Sequence, residues 1–378
     1  VSFRYAAGIN KPGFNPLGAQ TSTVLYELYG WGSNTDGQIG LGNTTNYSSP
    51  KQVGSLTSWI EIAAGYAFSA SIKTDGALWA WGGGSSGQLG QGNTTDYSSP
   101  KQIGALLNWS KVTASASGCI AIKTDGTIWS WGNGQNGQLG LGNTTSYSSP
   151  KQIGALTNWA SVSGSGSQSF YIAVKTNGTL FAWGQNDNGQ LGLNDTTNRS
   201  SPVQVGALTT WSKVAAGSNF CASIKTDGTL WSWGNNGSGR LGLGNETYYS
   251  SPKQIGALSN WSNIACGAGQ MVAAKTDGTL WSWGLNDTGQ LGTGNLTYYS
   301  SPKQIGALTT WSKVGAGGRN TFAIKTDGTI WAWGRNSDGQ LGLGNRTNYS
   351  SPKQIGASTG WFKVVSSLRN NSSVLALG

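Results

Sequence analysis

The residues able to do chemistry are few, and their spacing argues against an active centre. No histidine occurs among the 378 residues, so a Ser-His-Asp arrangement, a Cys-His arrangement and a histidine metal site are all unavailable. Cys119, Cys221 and Cys266 lack Cys-x-x-Cys spacing and read as small buried apolar side chains. Asp and Glu total only 14, and Asp75, Asp125, Asp227, Asp277 and Asp327 stand in a recurring Thr-Asp-Gly. There the carboxylate serves turn geometry rather than acid–base work. Asn286-Asp287-Thr288-Gly289 and Asn336-Ser337-Asp338-Gly339 echo calcium loops, but without the following Glu or the loop spacing. The Gly-Gln-Leu-Gly-Leu-Gly at 137–142 has no Lys-Ser/Thr and no helix after it, so it is not a phosphate cradle. Asn-x-Thr recurs at Asn43, Asn93, Asn143, Asn245, Asn295 and Asn345. Its fixed place favours an Asx-type turn over a glycosylation acceptor. The expectation is a non-enzyme with no cofactor and no metal.

The elements that carry these residues repeat. Trp-Gly stands at Trp31, Trp81, Trp131, Trp183, Trp233, Trp283 and Trp333, with steps of 50, 50, 52, 50, 50 and 50 residues. A period near 50 marks a solenoid or propeller architecture. In Leu230-Trp231-Ser232-Trp233-Gly234 the alternation is that of a strand, with the two Trp on one face and Leu230 and Ser232 on the other. A strand packed on both faces suits a propeller blade.

Around Trp233 the unit reads as four strands. Strand A is the small-residue run Trp211 to Gly217, and strand B runs from Phe220 to Lys225. Thr226-Asp227-Gly228-Thr229 is a hairpin turn leading into strand C, Leu230 to Trp233. A Gly-rich excursion then leads to strand D, Ser251 to Ile255, whose Pro252 suits a sheet edge. Small residues in A suit a crowded axis. The Trp-Gly and Ser-Pro pairs each occur seven times, but Lys-Thr-Asp/Asn-Gly only six. The missing piece is split: Ser373–Leu377 resembles a strand B, and Leu28–Trp31 is a strand C with no B before it. The expected fold is therefore all-β, a seven-bladed β-propeller of four-stranded antiparallel blades, closed by joining the C-terminal strand to the N-terminal strand.

Two domains' worth of chain is thus read as one propeller, 25–378, preceded by an irregular arm, 1–24. Pro12, Gly13, Pro16 and Gly18 break the arm, while Arg4, Tyr5, Phe14 and Leu17 are candidates for docking to a larger assembly. The alternative is an ordinary disordered terminus. The formal charge of +10 comes from lysines that recur singly, and no basic run appears, so nucleic acid is not the expected partner. No apolar run is long enough to span a membrane.

The unit resembles the regulator of chromosome condensation repeat. Val214-Ala215-Ala216-Gly217, Asp227-Gly228, Trp231-Ser232-Trp233-Gly234 and Gly289-Gln290-Leu291-Gly292 carry the likeness, in seven copies over about 28–378. The resemblance implies a seven-bladed propeller with a split blade, and the family's founding activity is nucleotide exchange on a small GTPase. Members usually have His at the start of strand B, where this chain has Phe68, Gly118, Phe170, Phe220, Gln270 and Asn320. The homogeneous repeats look more like bacterial or bacteriophage members than nuclear ones.

Differences between copies gather in the A–B loops and after Trp-Gly, which an up-and-down blade places on one face. Loops on a rigid scaffold are where binding usually resides. Tyr66, Phe68, Gln168, Phe170, Phe220, Gln270, Arg319, Asn320 and Arg335 are the partner-binding candidates, against the alternative that exposed loops simply drift. The functional expectation is a structural or binding module with a protein or surface-glycan partner, exposed on a virion or cell surface. A cytoplasmic regulator of a small GTPase is the alternative.

Overall fold

Each copy of the unit folds into one four-stranded antiparallel sheet, and seven such sheets form a ring. The computed structural model describes residues 25–378 apart from 56, 167, 168, 370 and 371. The arm and Gln168 therefore lie outside the described residues. In blade 4, strands A to D are Trp211–Ala216, Phe220–Lys225, Leu230–Gly234 and Tyr249–Gln254, paired in that order. Strand D starts two residues before the expected Ser251 and stops short of Ile255, which is buried in the core. The expected closure is present. Lys363–Ser366, Ser373–Leu377, Leu28–Gly32 and Tyr47–Gln52 form one sheet, with Leu28 opposite Leu377 and Gly32 opposite Ser373.

The core lies between blades, because each central strand is apolar on both faces. Leu230 packs forward on Trp261, Met271 and Trp283 of blade 5, while Trp233 packs backward on Phe170, Leu180 and Leu191 of blade 3. Trp233 is fully buried, and its indole N–H donates to the main-chain O of Gln190 at 2.9 Å. Gln190 belongs to the preceding Gly-Gln-Leu-Gly, so that motif is a socket for the next blade's Trp. The socket needs Gly192, which has φ +74° and where a Cβ would come within 2.8 Å of the Trp233 Nε1. Gly234, at φ +103°, sits where the C–D pairing shifts register, and a Cβ there would strike Asn219 O and Phe220 Cα at 2.7 Å. Trp-Gly is thus one device: the Trp locks to the blade behind, and the Gly bends the strand out into its excursion.

The three cysteines are buried and free. Burial pushes the Cys119 thiol well above its ordinary value, consistent with inert packing residues.

Candidate functional site

Two faces close the ring, and they differ in construction. On one, the B–C turn of six blades begins with Lys and ends near an aromatic residue, a Trp in all but blade 3, where it is Phe181. In blade 4, Lys225 N donates to Thr229 O and Gly228 N to Lys225 O, both at 3.0 Å. Asp227 Oδ1 accepts from Thr229 N at 2.9 Å and Thr229 Oγ1 at 2.7 Å. The Thr229 bonds hold the Asp227 carboxyl below its ordinary value. The Thr229 hydroxyl in turn accepts from the Trp231 indole at 3.0 Å. Lys225 Nζ lies 3.7 Å from the Trp231 ring centre and 4.9 Å from that of Trp211. The same sandwich recurs at Lys73, Lys123, Lys275 and Lys325. Lys225 is only 8% exposed, and burial lowers its ammonium from the ordinary lysine value. The lysines that recur singly in the sequence thus cover aromatic rings with their stems and ammonium groups.

The A–B loops and the C–D excursions share the opposite face, as the strand order requires. The structure corrects five of the site candidates there. Phe68, Phe170, Phe220 and Asn320 are 0% exposed and Gln270 is 1% exposed, so none can touch a partner. The cause is register: the first residue of strand B lies opposite the Gly of Trp-Gly and turns into the blade. The Phe220 ring lies against Gly217, where a Cβ would come within 2.2 Å of it. Inside, Gln270 Nε2 donates to Gly317 O and Asn320 O at 3.1 and 3.2 Å, while Asn320 Nδ2 is buried without a partner among the described residues. Asn320 Oδ1 accepts from the Ser372 hydroxyl at 3.4 Å.

Tyr66, Arg319 and Arg335 do reach the surface. Tyr66 is 41% exposed. The Arg369 guanidinium lies 3.6 Å from its ring centre and 3.6 Å from Asp36. Arg319 pairs with Asp287 in the excursion of the preceding blade, and Arg335 Nε donates to Ser337 Oγ at 2.9 Å. Charged and aromatic groups from neighbouring blades are therefore brought together across the seams.

Sequence reasoning missed Arg240, although its departure from Gly-Gln-Leu-Gly was visible. In the other copies Gln Oε1 accepts from the main-chain N–H two residues earlier, as Gln190 does from Asn188 N at 2.8 Å. Arg has no acceptor. The turn is rebuilt as a short 3-10 segment, Gly237–Gly239, with Ser238 at φ +63°. Arg240 instead donates to Asn219 Oδ1 and Ala268 O at 3.1 and 3.2 Å. The Trp283 indole is left buried with no partner among the described residues.

The Asn-x-Thr sites are Asx turns, with Thr247 N donating to Asn245 Oδ1 at 2.9 Å and equivalents at Asn43, Asn93, Asn143, Asn295 and Asn345. Among the described residues no group of three potential ligands could hold a metal ion. No helix among the described residues is long and apolar enough to cross a membrane.

A closed ring of seven blades with repeated Trp-Gly sockets defines a propeller-type binding scaffold. The chain belongs to the RCC1-like domain family, which matches residues 17–261 and, overlapping, 165–376. Its fold is similar to that of human WBSCR16, at 19% identity and a TM-score of 0.83, covering 93% of this chain and 98% of that one. It is equally similar to Prp20p from Saccharomyces cerevisiae, studied with its binding to Gsp1p and histones. There the identity is 19%, the TM-score 0.82 and the coverage 94% and 92%. The structure of Kap60 bound to yeast RCC1 (Prp20) matches with a TM-score of 0.82 at 19% identity, covering 94% of this chain and 89% of that one.

Proposed function

We propose that the protein is a non-enzymatic propeller that binds another protein through the face carrying the A–B loops and C–D excursions. One observation carries this: surface side chains differ from blade to blade there, while the opposite face repeats one Lys-Trp-Thr-Asp turn. Aromatic and Arg side chains such as Tyr66, Arg319 and Arg335 are the types enriched at binding hot spots. Residues 1–24, with Arg4, Tyr5, Phe14 and Leu17, are the attachment arm in this reading. Display on a virion or cell surface draws no support from the matched structures, and a protein partner is favoured over a glycan by those solved or studied with protein partners.

A second reading, regulation of a small GTPase, is favoured by the likeness to Prp20p. Release of a fluorescent nucleotide from candidate GTPases separates the two. Acceleration by the wild-type chain, lost on changing Tyr66, Arg319 and Arg335 to Ala, makes the partner a GTPase. Partner capture that survives those three changes, but fails without residues 1–24, rules out the loop face and makes the arm the working part.

A further inference from the structure

The axis of the ring is a pocket with one open end. Its walls are the seven A strands, enclosing a cavity of about 540 Å³, within the range of small-molecule sites. On the loop face it is stoppered. Leu368, in the A–B loop of blade 7, reaches across the axis to Gly166 of blade 3, where an added Cβ would meet Leu368 Cβ at 2.6 Å. Adjacent A–B loops are also tied together, Ala116 N to Ser165 O at 3.0 Å, Ala268 N to Gly317 O at 3.3 Å and Gly318 N to Ser367 O at 3.1 Å. At the other end Glu61, Asn263, Lys313 and Lys363 line the mouth, each two residues after the first Trp of its blade's inner strand segment, and Lys111 and Lys213 hold the equivalent positions outside the lining.

Glu61 is already held by Lys111 at 3.0 Å and by Lys363. Lys213 and Lys313 have only main-chain carbonyls, those of Ser262 and Phe362, the latter at 2.7 Å. Lys313 also lies 3.4 Å from the Phe362 ring centre, which fixes its ammonium at the rim. Burial, and then the charge of Lys363, hold it below its ordinary value. Just inside the mouth, the next residue of every blade's inner strand is Ile or Val, from Ile62 to Val364, and mostly small residues follow, Thr113, Ser163 and Ser366 among them.

We infer that this axial pocket binds a small organic anion, an apolar body with a carboxylate-type head, entering from the turn face. The body rests on the Ile/Val ring, the head meets Lys313 and Lys363, and Leu368 forms the floor. A blind cup with an Ile/Val band inside a mouth that carries Lys313 and Lys363 recognises that combination, because neither an uncharged chain nor a bare anion satisfies both parts.

The test is fluorescence titration of the full chain with 1-anilinonaphthalene-8-sulfonate, displaced by decanoate. Binding at one site per chain, competed by decanoate but not by decanol or acetate, is expected. Affinity should fall about tenfold or more in Lys313→Ala/Lys363→Ala and in the cavity-filling Ile264→Trp, with Lys253→Ala, on the outer strand D of blade 4, unchanged. Melting curves identify a variant that fails to fold. The salt dependence of decanoate binding to the unaltered protein gives a readout independent of any variant. Absence of saturable binding, decanol competing as well as decanoate, or salt-independent affinity would overturn the assignment.

Discussion

The two faces of the ring have the same blades beneath them and opposite relations to their own sequence. On the turn face, Lys, Trp, Thr and Asp are bound to one another within a single hairpin, so any copy that drops a member loses a contact. On the loop face, partners come from neighbouring blades, as Arg319 does for Asp287, and each seam is free to be different. Uniformity on one side therefore follows from local bonding, and diversity on the other from its absence.

Two irregular copies show this at atomic scale. In blade 1 the turn Thr is replaced by Ala77, and the Trp79 indole, which Thr would have accepted from, is buried unpaired. In blade 4, Arg240 replaces Gln and the Trp283 indole suffers the same loss. The turn-face lapse gains nothing in exchange. The loop-face lapse gains one hydrogen bond within its own turn and two to neighbouring loops, which is what a surface shaped for something other than stability looks like.

The scaffold shared by both faces should show the largest effects. Deleting residues 373–378 removes strand B of blade 7 and bares the apolar edge of Leu28–Gly32, so the ring should open and aggregate. Loss of a single cooperative transition in thermal unfolding is the expected outcome. A truncated chain that melts with the parent's cooperativity removes closure from the account. Next, Trp233→Ala empties a socket and should cost about 3–5 kcal/mol by denaturant unfolding.

The comparison itself is sharpened by Lys225→Ala, which should cost about 1–2 kcal/mol because a nearly buried cation–π sandwich is lost. Tyr66→Ala should cost under about 0.5 kcal/mol. Equal losses at the two positions would erase the distinction between faces. Smaller still are the repairs, each worth about 1 kcal/mol: Ala77→Thr supplies the Trp79 indole with a hydroxyl acceptor, and Arg240→Gln restores the turn whose main-chain O receives the indole in the other blades. If Arg240→Gln stabilises the fold yet weakens partner binding, Arg240 belongs to the contact surface.

Most of the architecture was legible in the chain because it is written seven times. The Trp-Gly spacing located strand C, the six-against-seven count of turns revealed the split blade, and Pro252 placed strand D at an edge. The site was less legible. A Phe at the start of strand B and a Tyr two residues earlier look alike as loop aromatics. Only the pairing of Phe68 with Gly82 turns one inward and leaves Tyr66 outside. The cover given by each turn lysine is missed for a related reason: Trp231 follows Lys225 across the turn, Trp211 precedes it across the A–B loop, and only the sheet brings both rings against the ammonium. Arg240 and Arg369 acquire their roles from neighbouring blades and loops, which no local pattern announces.

Site-specific photo-cross-linking tests the central claim, that the loop face makes the contact, most directly. Benzoylphenylalanine placed singly at Tyr66 and Ser337 on the loop face, and at Thr226 and Thr276 on the turn face, would be irradiated in host extract. Each variant would first be checked for an unchanged melting curve. The account predicts one shared adduct from Tyr66 and Ser337 and none from the two turn positions. A shared adduct from Thr226 and Thr276, with Tyr66 and Ser337 silent, would contradict it.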